Sequence, residues 1–325
     1  FNTEFNFLIL DSSSDKLDEV VKSYLDRKNI SYIKYDSSKF FANKIADGCQ
    51  SITTPYAVLC ADDDFLIPKG IIEGKNFLKE NIDFASAHGL YFNHTSSEVA
   101  QKHGFSIGPL YQNGHSSEQD SAEERLNAYL SGETGYYPMY AVHRTDLFQQ
   151  IWSETKTYVF DWGLSELFPC ALSFIHGKMK VLPVFYSSRE PNTYTWFDET
   201  RLRKMYSEEK IKIATSGLAN HLYKFANIDK GKSHDIATRA LNTYLCRLEK
   251  KMIIQKTEQL STRSQIRKKI GLRTRIQKIL FNGCHTSIHP EFKSDYIELM
   301  QSVIRSNLEA EKLNRSRRKF AVQAS

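Results

Sequence analysis

The sequence predicts an α/β fold, a mostly parallel sheet flanked by helices and followed by a mainly helical C-terminal region. Three observations point there. Strand-like and helix-like stretches alternate from the first residues to about residue 90. From about residue 205 the strand signals stop and long helical spacings take over. The charge divides at the same place. Residues 1–200 hold 17 Lys+Arg against 27 Asp+Glu, whereas residues 201–325 hold 27 against 11. An acidic first part suits a metal-using domain, and a basic second part would be drawn to an anionic surface.

The elements follow in order. Phe5 to Leu10 reads as a strand ending at Asp11. Ser14 to Arg27 reads as a helix, with Leu17, Val20, Val21, Tyr24 and Leu25 on one face. Ser31 to Tyr35 is a second strand, Phe40 to Ser51 a helix, and Tyr56 to Cys60 a third strand. Ile71 to Glu80 is helical, and Phe84 to Tyr91 is a strand. The polar stretch 93–122 reads as a long loop. Helices are expected at 123–130, after the aromatic-rich 135–148, and at 163–176, and a strand at "KMKVLPVFYSS". Ile236 to Ile254 and Tyr296 to Leu313 have helical spacing.

Composition narrows the class. At 325 residues, 41% hydrophobic and 25% charged, the chain has the make-up of an ordinary globular protein with a real core. No apolar run is long enough for a membrane-spanning helix, and no signal peptide is visible. The five cysteines are scattered and unpaired in spacing, so a reducing, cytoplasmic setting is expected. No reader motif for nucleic acid is present, and nucleic acid is not an expected partner. Residues 259–290 contain no acid and several Lys and Arg on an amphipathic stretch. They could contact the inner face of a membrane peripherally or form a solvated helix face. A homo-oligomer is left open.

The chemistry-bearing stretch is "YAVLCADDDFLIP" at 56–68. An apolar strand runs into Asp62, Asp63 and Asp64, whose like charges repel unless a cation sits among them. A hard divalent ion takes oxygen ligands and keeps phosphate oxygens as well. Asp62 and Asp64, two apart, can reach one side of the strand end. The plain alternative is a solvated acidic turn.

"TTPYAVLCADDDFLIPKGI" resembles the segment that bears the D-x-D signature in family 2 glycosyltransferases of the GT-A (Rossmann-like) fold. "FNFLILDSSSD", "YAVHRTDLF" and "GLSELFPCALSFIHGKMKVLPVFYSSRE" resemble further family segments, in the same order and spacing over roughly residues 5 to 195. The resemblance implies a catalytic domain over 1–200 and a basic helical region over 201–325. The resemblance begins at the family's second strand, so either the segment bearing the first strand is missing from this chain or the nucleotide pocket is built otherwise.

It also implies roles. Asp11 would contact the nucleotide base, with a helix cap as the alternative, and Lys44 the nucleotide, with a surface lysine as the alternative. Asp62 would contact the ribose and Asp64 the metal, with Asp63 able to exchange roles with either and Asp62 able to share the metal. Glu166 would be the general base, with Asp161 as a substitute. Here Leu167 follows Glu166, where the family's usual motif has a second acid. Arg189 replaces the family's histidine near the metal and could bind a phosphate. The implied reaction is a metal-dependent (Mn²⁺ or Mg²⁺), inverting transfer from a nucleotide-diphosphate sugar, foremost a UDP-sugar. The acceptor would be a glycan or lipid-linked acceptor in surface polysaccharide synthesis. Burial against Trp162, Leu167 and Phe168 is expected to raise the base's pKa. A sugar nucleotidyltransferase and a non-catalytic scaffold with a degenerate transferase fold remain alternatives.

Overall fold

A computed structural model describes residues 4–15, 19–62, 64–94, 107–110, 115–134, 138–189 and 206–265. Strand β1 (Phe7–Asp11), helix α1 (Glu19–Leu25) and strand β2 (Ile30–Lys34) form a βαβ unit. The two strands are parallel, in register from Phe7 opposite Ile30 to Asp11 opposite Lys34. A helix between them gives the chain the length a parallel return needs. Helix α2 (Phe41–Gly48) follows and tightens into a 3₁₀ turn at Cys49–Ser51. It buries Ala42, Ile45, Ala46 and Cys49, a spacing of three and four that makes one apolar stripe. A Cβ on Gly48 would stand 2.5 Å from Leu10 Cδ2, so its absence lets α2 lie directly on β1.

The larger sheet contains β3 (Tyr56–Ala57), β4 (Asp64–Leu66), β5 (Phe84–His94), β6 (Ile107–Leu110), β7 (Val142–Arg144) and β8 (Lys178–Arg189). Its order is β3-β7-β5-β8-β4, with β6 paired to β5. Among the described residues only β5 and β8 run parallel in it. The β3–β7, β4–β8, β5–β6 and β5–β7 pairs are antiparallel. The expected mostly parallel sheet is therefore corrected to a mixed one, with β1 and β2 as a separate parallel pair among the described residues. The short strands β4 and β7 produce the change. Each owes its pairing to a strand distant in sequence, which no local periodicity encodes.

Helices α3 (Pro68–Glu80), α5 (Thr145–Tyr158) and α6 (Leu167–His176) lie against the sheet, and α4 (Ala122–Ser131) packs on α6. Pro68 opens α3 at a position where its missing N–H costs nothing. Ser121 caps α4 by accepting from the Glu124 N–H, and Gly132 ends it in the left-handed region at φ 90°. Every residue of α6 from Leu167 to Ile175 is buried, which marks it as the central helix. Helices α7 (Glu208–Phe225) and α8 (Lys230–Gln265) pack beyond it. Their Ala214, Leu218, Leu222, Ile236, Ala240 and Leu241 join the same core as Trp152, Phe168 and Phe174. Among the described residues no helix is long and apolar enough to cross a membrane. Residues 259–265 end α8, while 266–290 of the basic stretch and the expected helix at Tyr296 to Leu313 lie outside the described residues.

Candidate functional site

The acid triplet sits where the chain enters β4. Asp62 is exposed in the preceding turn, Asp64 begins the strand, and Asp63 lies outside the described residues. Antiparallel pairing sets Asp64 directly opposite Arg189, the last residue of β8. The Arg189 Nε–H donates to Asp64 Oδ2 at 2.8 Å, and the Asp64 side chain is only 4% exposed. Arginine thus supplies the positive charge that the sequence pattern called for. A charged pair this buried holds only because the geometry is good. The guanidinium also lies 4.5 Å from the centre of the Tyr140 ring, a cation–π contact. The Tyr186 hydroxyl anchors that ring's backbone by donating to the Tyr140 carbonyl at 2.6 Å.

Glu166 stands immediately before α6. Its side chain is reached by solvent, yet burial pushes its carboxyl above the ordinary glutamate range while Arg189 pulls it back. Tyr140 titrates higher than an ordinary tyrosine, first through burial, then through the fields of Glu166 and Asp64, with Arg189 opposing. Asp64, Arg189, Tyr140 and Glu166 therefore share one electrostatic environment, although they come from four separate segments of the chain.

The loop from Val159 to Ser165 delivers Glu166. Asp161, the alternative base, has both oxygens engaged. Its Oδ1 accepts from the Gly163 N–H at 3.0 Å and its Oδ2 pairs with Lys210 of α7. Tyr206 donates to the Gly163 carbonyl at 2.9 Å. Trp162 stacks on Phe41 of α2 at 5.4 Å and meets Phe40 edge-on. Trp162 nonetheless remains 56% exposed, so part of the indole is open to solvent in the loop that leads to Glu166.

The other end of α2 leads to Asp11. Asp11 Oδ2 accepts from Tyr32 at 2.6 Å and from Lys34 at 2.8 Å, and Oδ1 accepts from the Ser13 N–H at 2.7 Å. Burial alone would raise its pKa, but these donors hold the carboxyl well below the usual range. Burial and the bond to Asp11 push the Tyr32 phenol up to about 12. Lys44 reaches from α2 to the Ser12 hydroxyl at 3.1 Å. Asp11 therefore turns onto its own loop and onto β2 instead of capping α1.

The structure brings Asp64, Arg189 and Glu166 together, and separately Asp11 with Lys44 near Ser12, with α2 linking the two groups. It adds Tyr32, Lys34, Tyr206 and Lys210, which sequence reasoning missed. Tyr32 and Lys34 left a faint trace, because alternation along β2 puts them on one face. Tyr206 and Lys210 act from more than 40 residues away and left none. His143 is a fully buried core residue, bonded to the Ala141 carbonyl and the Ser173 hydroxyl, with burial lowering its pKa to about 4. Tyr136, Tyr137 and Trp196, aromatics that could stack on a sugar ring, and Cys284, His285 and His289, which lack a second pair for a zinc site, lie outside the described residues.

A hard divalent cation needs oxygen donors, and Asp62 and Asp64 are of the right kind. Asp62 is open, whereas Asp64 is held by Arg189. As oxygen donors the two are of a kind that would suit Mg²⁺ or Mn²⁺, with Asp64 engaged by Arg189 in this structure. Among the described residues no group of three or more His, Cys, Asp or Glu is gathered that would hold a metal alone.

No family model matches the sequence, and no curated protein matches it. Among solved structures, residues 1–349 of TarS from S. aureus align over 85% of this chain and 69% of that one. The identity is 13% and the TM-score 0.45. A likeness at that level carries no argument about activity, so the functional reading rests on the geometry of the site.

Proposed function

We propose that this protein is a metal-dependent, inverting glycosyltransferase. It moves a sugar from a nucleotide-diphosphate donor, foremost a UDP-sugar, to a hydroxyl of a glycan or lipid-linked acceptor in surface polysaccharide synthesis. One observation supports this above the rest. A solvent-reached carboxylate with a raised pKa, Glu166, shares its surroundings with Arg189 and Asp64, a cation and an acid able to manage a diphosphate.

In this reading Asp11 and Lys44 hold the nucleotide at the β1 end. Asp62 meets the ribose, with Asp63 beside it. Arg189 binds the diphosphate through its planar fork. Glu166 takes the proton from the acceptor hydroxyl as that oxygen attacks the anomeric carbon. Its raised pKa makes it a better base near neutrality than an ordinary glutamate. Mn²⁺ or Mg²⁺ bound at Asp62 and Asp64 would supply charge neutralisation for the departing diphosphate. The exposed face of Trp162 offers a surface against which a sugar ring can pack.

Calorimetric titration with UDP and a panel of UDP-sugars, with and without Mn²⁺, tests the proposal. Saturable nucleotide binding strengthened by metal is expected, together with release of UDP when a sugar acceptor is added. A protein that binds no nucleoside diphosphate under either condition has no donor site, and the proposal fails.

A further inference from the structure

We propose that Glu154, His221 and His176 form an acid-opened clasp that closes the C-terminal helices onto the rest of the fold. The clasp stands apart from the donor site proposed above. His176 ends α6, His221 lies one turn before the end of α7, and Glu154 comes from α5, so three helices meet there. His176 Nε2 and His221 Nδ1 are 3.2 Å apart. His221 Nε2 is buried, makes no hydrogen bond among the described residues, and lies 3.4 Å from Glu154 Oε2. The facing carboxylate favours the His221 proton on that Nε2, which leaves Nδ1 to accept from the His176 Nε2–H.

Closed, the two rings share a single hydrogen. A proton on each would set N–H against N–H across the same gap, with two like charges held together. Water is kept from them. His221 is fully buried, and Phe225, the last residue of α7, stacks on its ring at 5.3 Å and meets the His176 ring at 4.5 Å. Burial and then the field of His221 lower the His176 pKa to about 4. Burial lowers that of His221 too, with Glu154 opposing and Lys224 adding to it. The other charges at this junction are engaged or absent. Arg125 of α4 donates to the Phe174 and Ile175 carbonyls beside His176. The buried residues of α8 nearest its start, Ser233, Ile236, Ala237 and Ala240, are uncharged. His143 of β7 meets α6 one turn earlier, at Ser173.

A histidine in water charges below about pH 6.5, so opened rings take protons that closed ones refuse. The junction therefore keeps its full stability above that pH and loses it as pH falls toward about 4. Helix α7 also carries Lys210, which pairs with Asp161 in the loop leading to Glu166. The clasp thus ties that loop's support to the state of two histidines.

Hydrogen exchange of the full chain, read by mass spectrometry at pH 7 and pH 5 and corrected for the intrinsic rate at each, tests the clasp. Protection across α7 is expected to fall by about tenfold or more, while β5 and β8 keep theirs within about threefold. His176→Gln keeps a donor toward His221, and His221→Gln keeps one toward Glu154, but neither glutamine takes a proton. His143 is present in both variants, so its own titration cancels from the comparison. The fall across α7 should shrink to about threefold or less in each variant. Variants that lose as much protection as the parent overturn the proposal, because another group then drives the opening. If neither variant folds, the parent decides. Its α7 must lose protection ahead of β5 and β8, and equal loss in all three, or none, overturns the proposal.

Discussion

Asp11 and Glu166 are both acids on loops that touch helix α2, through Ser12 with Lys44 and through Trp162 with Phe41, and the protein treats them in opposite ways. Asp11 is ringed by donors, with Tyr32, Lys34 and Ser13 holding its charge in place. Glu166 keeps solvent access but has only the field of Arg189 to oppose the burial that moves its titration upward. The contrast teaches that hydrogen-bond supply can override burial: burial pushes both carboxyls upward, and of the two Asp11 has the donors that bring it back down. Asp11 is the less exposed side chain of the two and still the stronger acid. A carboxylate that stays ionised suits nucleotide recognition, and one that can hold a proton suits base catalysis.

The sharpest way to break this comparison is Glu166→Gln. Transfer should fall by about 10²–10⁴, the usual worth of a positioned base, while UDP affinity stays within about twofold. A variant that loses nucleotide binding instead would assign Glu166 to the donor and erase the contrast. Asp11→Asn should do the reverse. It leaves Lys34 without its charged partner and costs about 1.5–3 kcal/mol of donor binding, an increase in donor Kd of roughly 10- to 100-fold. Turnover at saturating donor should hardly change, as initial rates over a donor series will show.

The pH dependence sharpens the same point. A base must be deprotonated to act, so kcat declines on the acid side as pH falls through the Glu166 pKa. That pKa is raised above its ordinary value of 4.5, so the decline should begin at a higher pH than for an ordinary glutamate. One unit below the midpoint the rate is down about tenfold. Donor KM should stay flat across the same window, because Asp11 is held ionised well below it. Parallel movement of kcat and KM would mean that one group serves both tasks.

The βαβ start was legible in the sequence because its strands and helices are local patterns. The expected strands at Phe5 to Leu10 and Ser31 to Tyr35 match β1 and β2 within about two residues. The expected helix at Phe40 to Ser51 matches α2 with its 3₁₀ end. The acid triplet announced that a charge was needed but not which one. Its partner Arg189 is 125 residues away and is reached only through the β4–β8 pairing. The stretch 93–122 read as loop because β6, with Gly108 and Pro109, has weak strand propensity and exists as a partner of β5. The raised pKa of Glu166 was foreseeable from its apolar neighbours Leu167 and Phe168. The depressed one of Asp11 was not, since its donors arrive from the adjacent parallel strand.

The smallest effect concerns the loop that presents Glu166. Its hold on the helical region has two fastenings, the Tyr206 hydroxyl on the Gly163 carbonyl and Lys210 on Asp161. Tyr206→Phe removes the first and keeps the ring against Tyr244. A net hydrogen bond is worth about 1 kcal/mol, which is at most about fivefold in rate if all of it serves to position the base. The remaining Lys210–Asp161 pair should hold the loss to between about twofold and fivefold in kcat, with donor KM unchanged. The acid limb should also shift, because a loosened loop lets more water surround Glu166 and lowers its pKa toward the ordinary value. A variant that melts earlier but keeps both kcat and the acid limb would show that Tyr206 supports the fold alone. The helical region would then have no part in setting the base apart from Asp11.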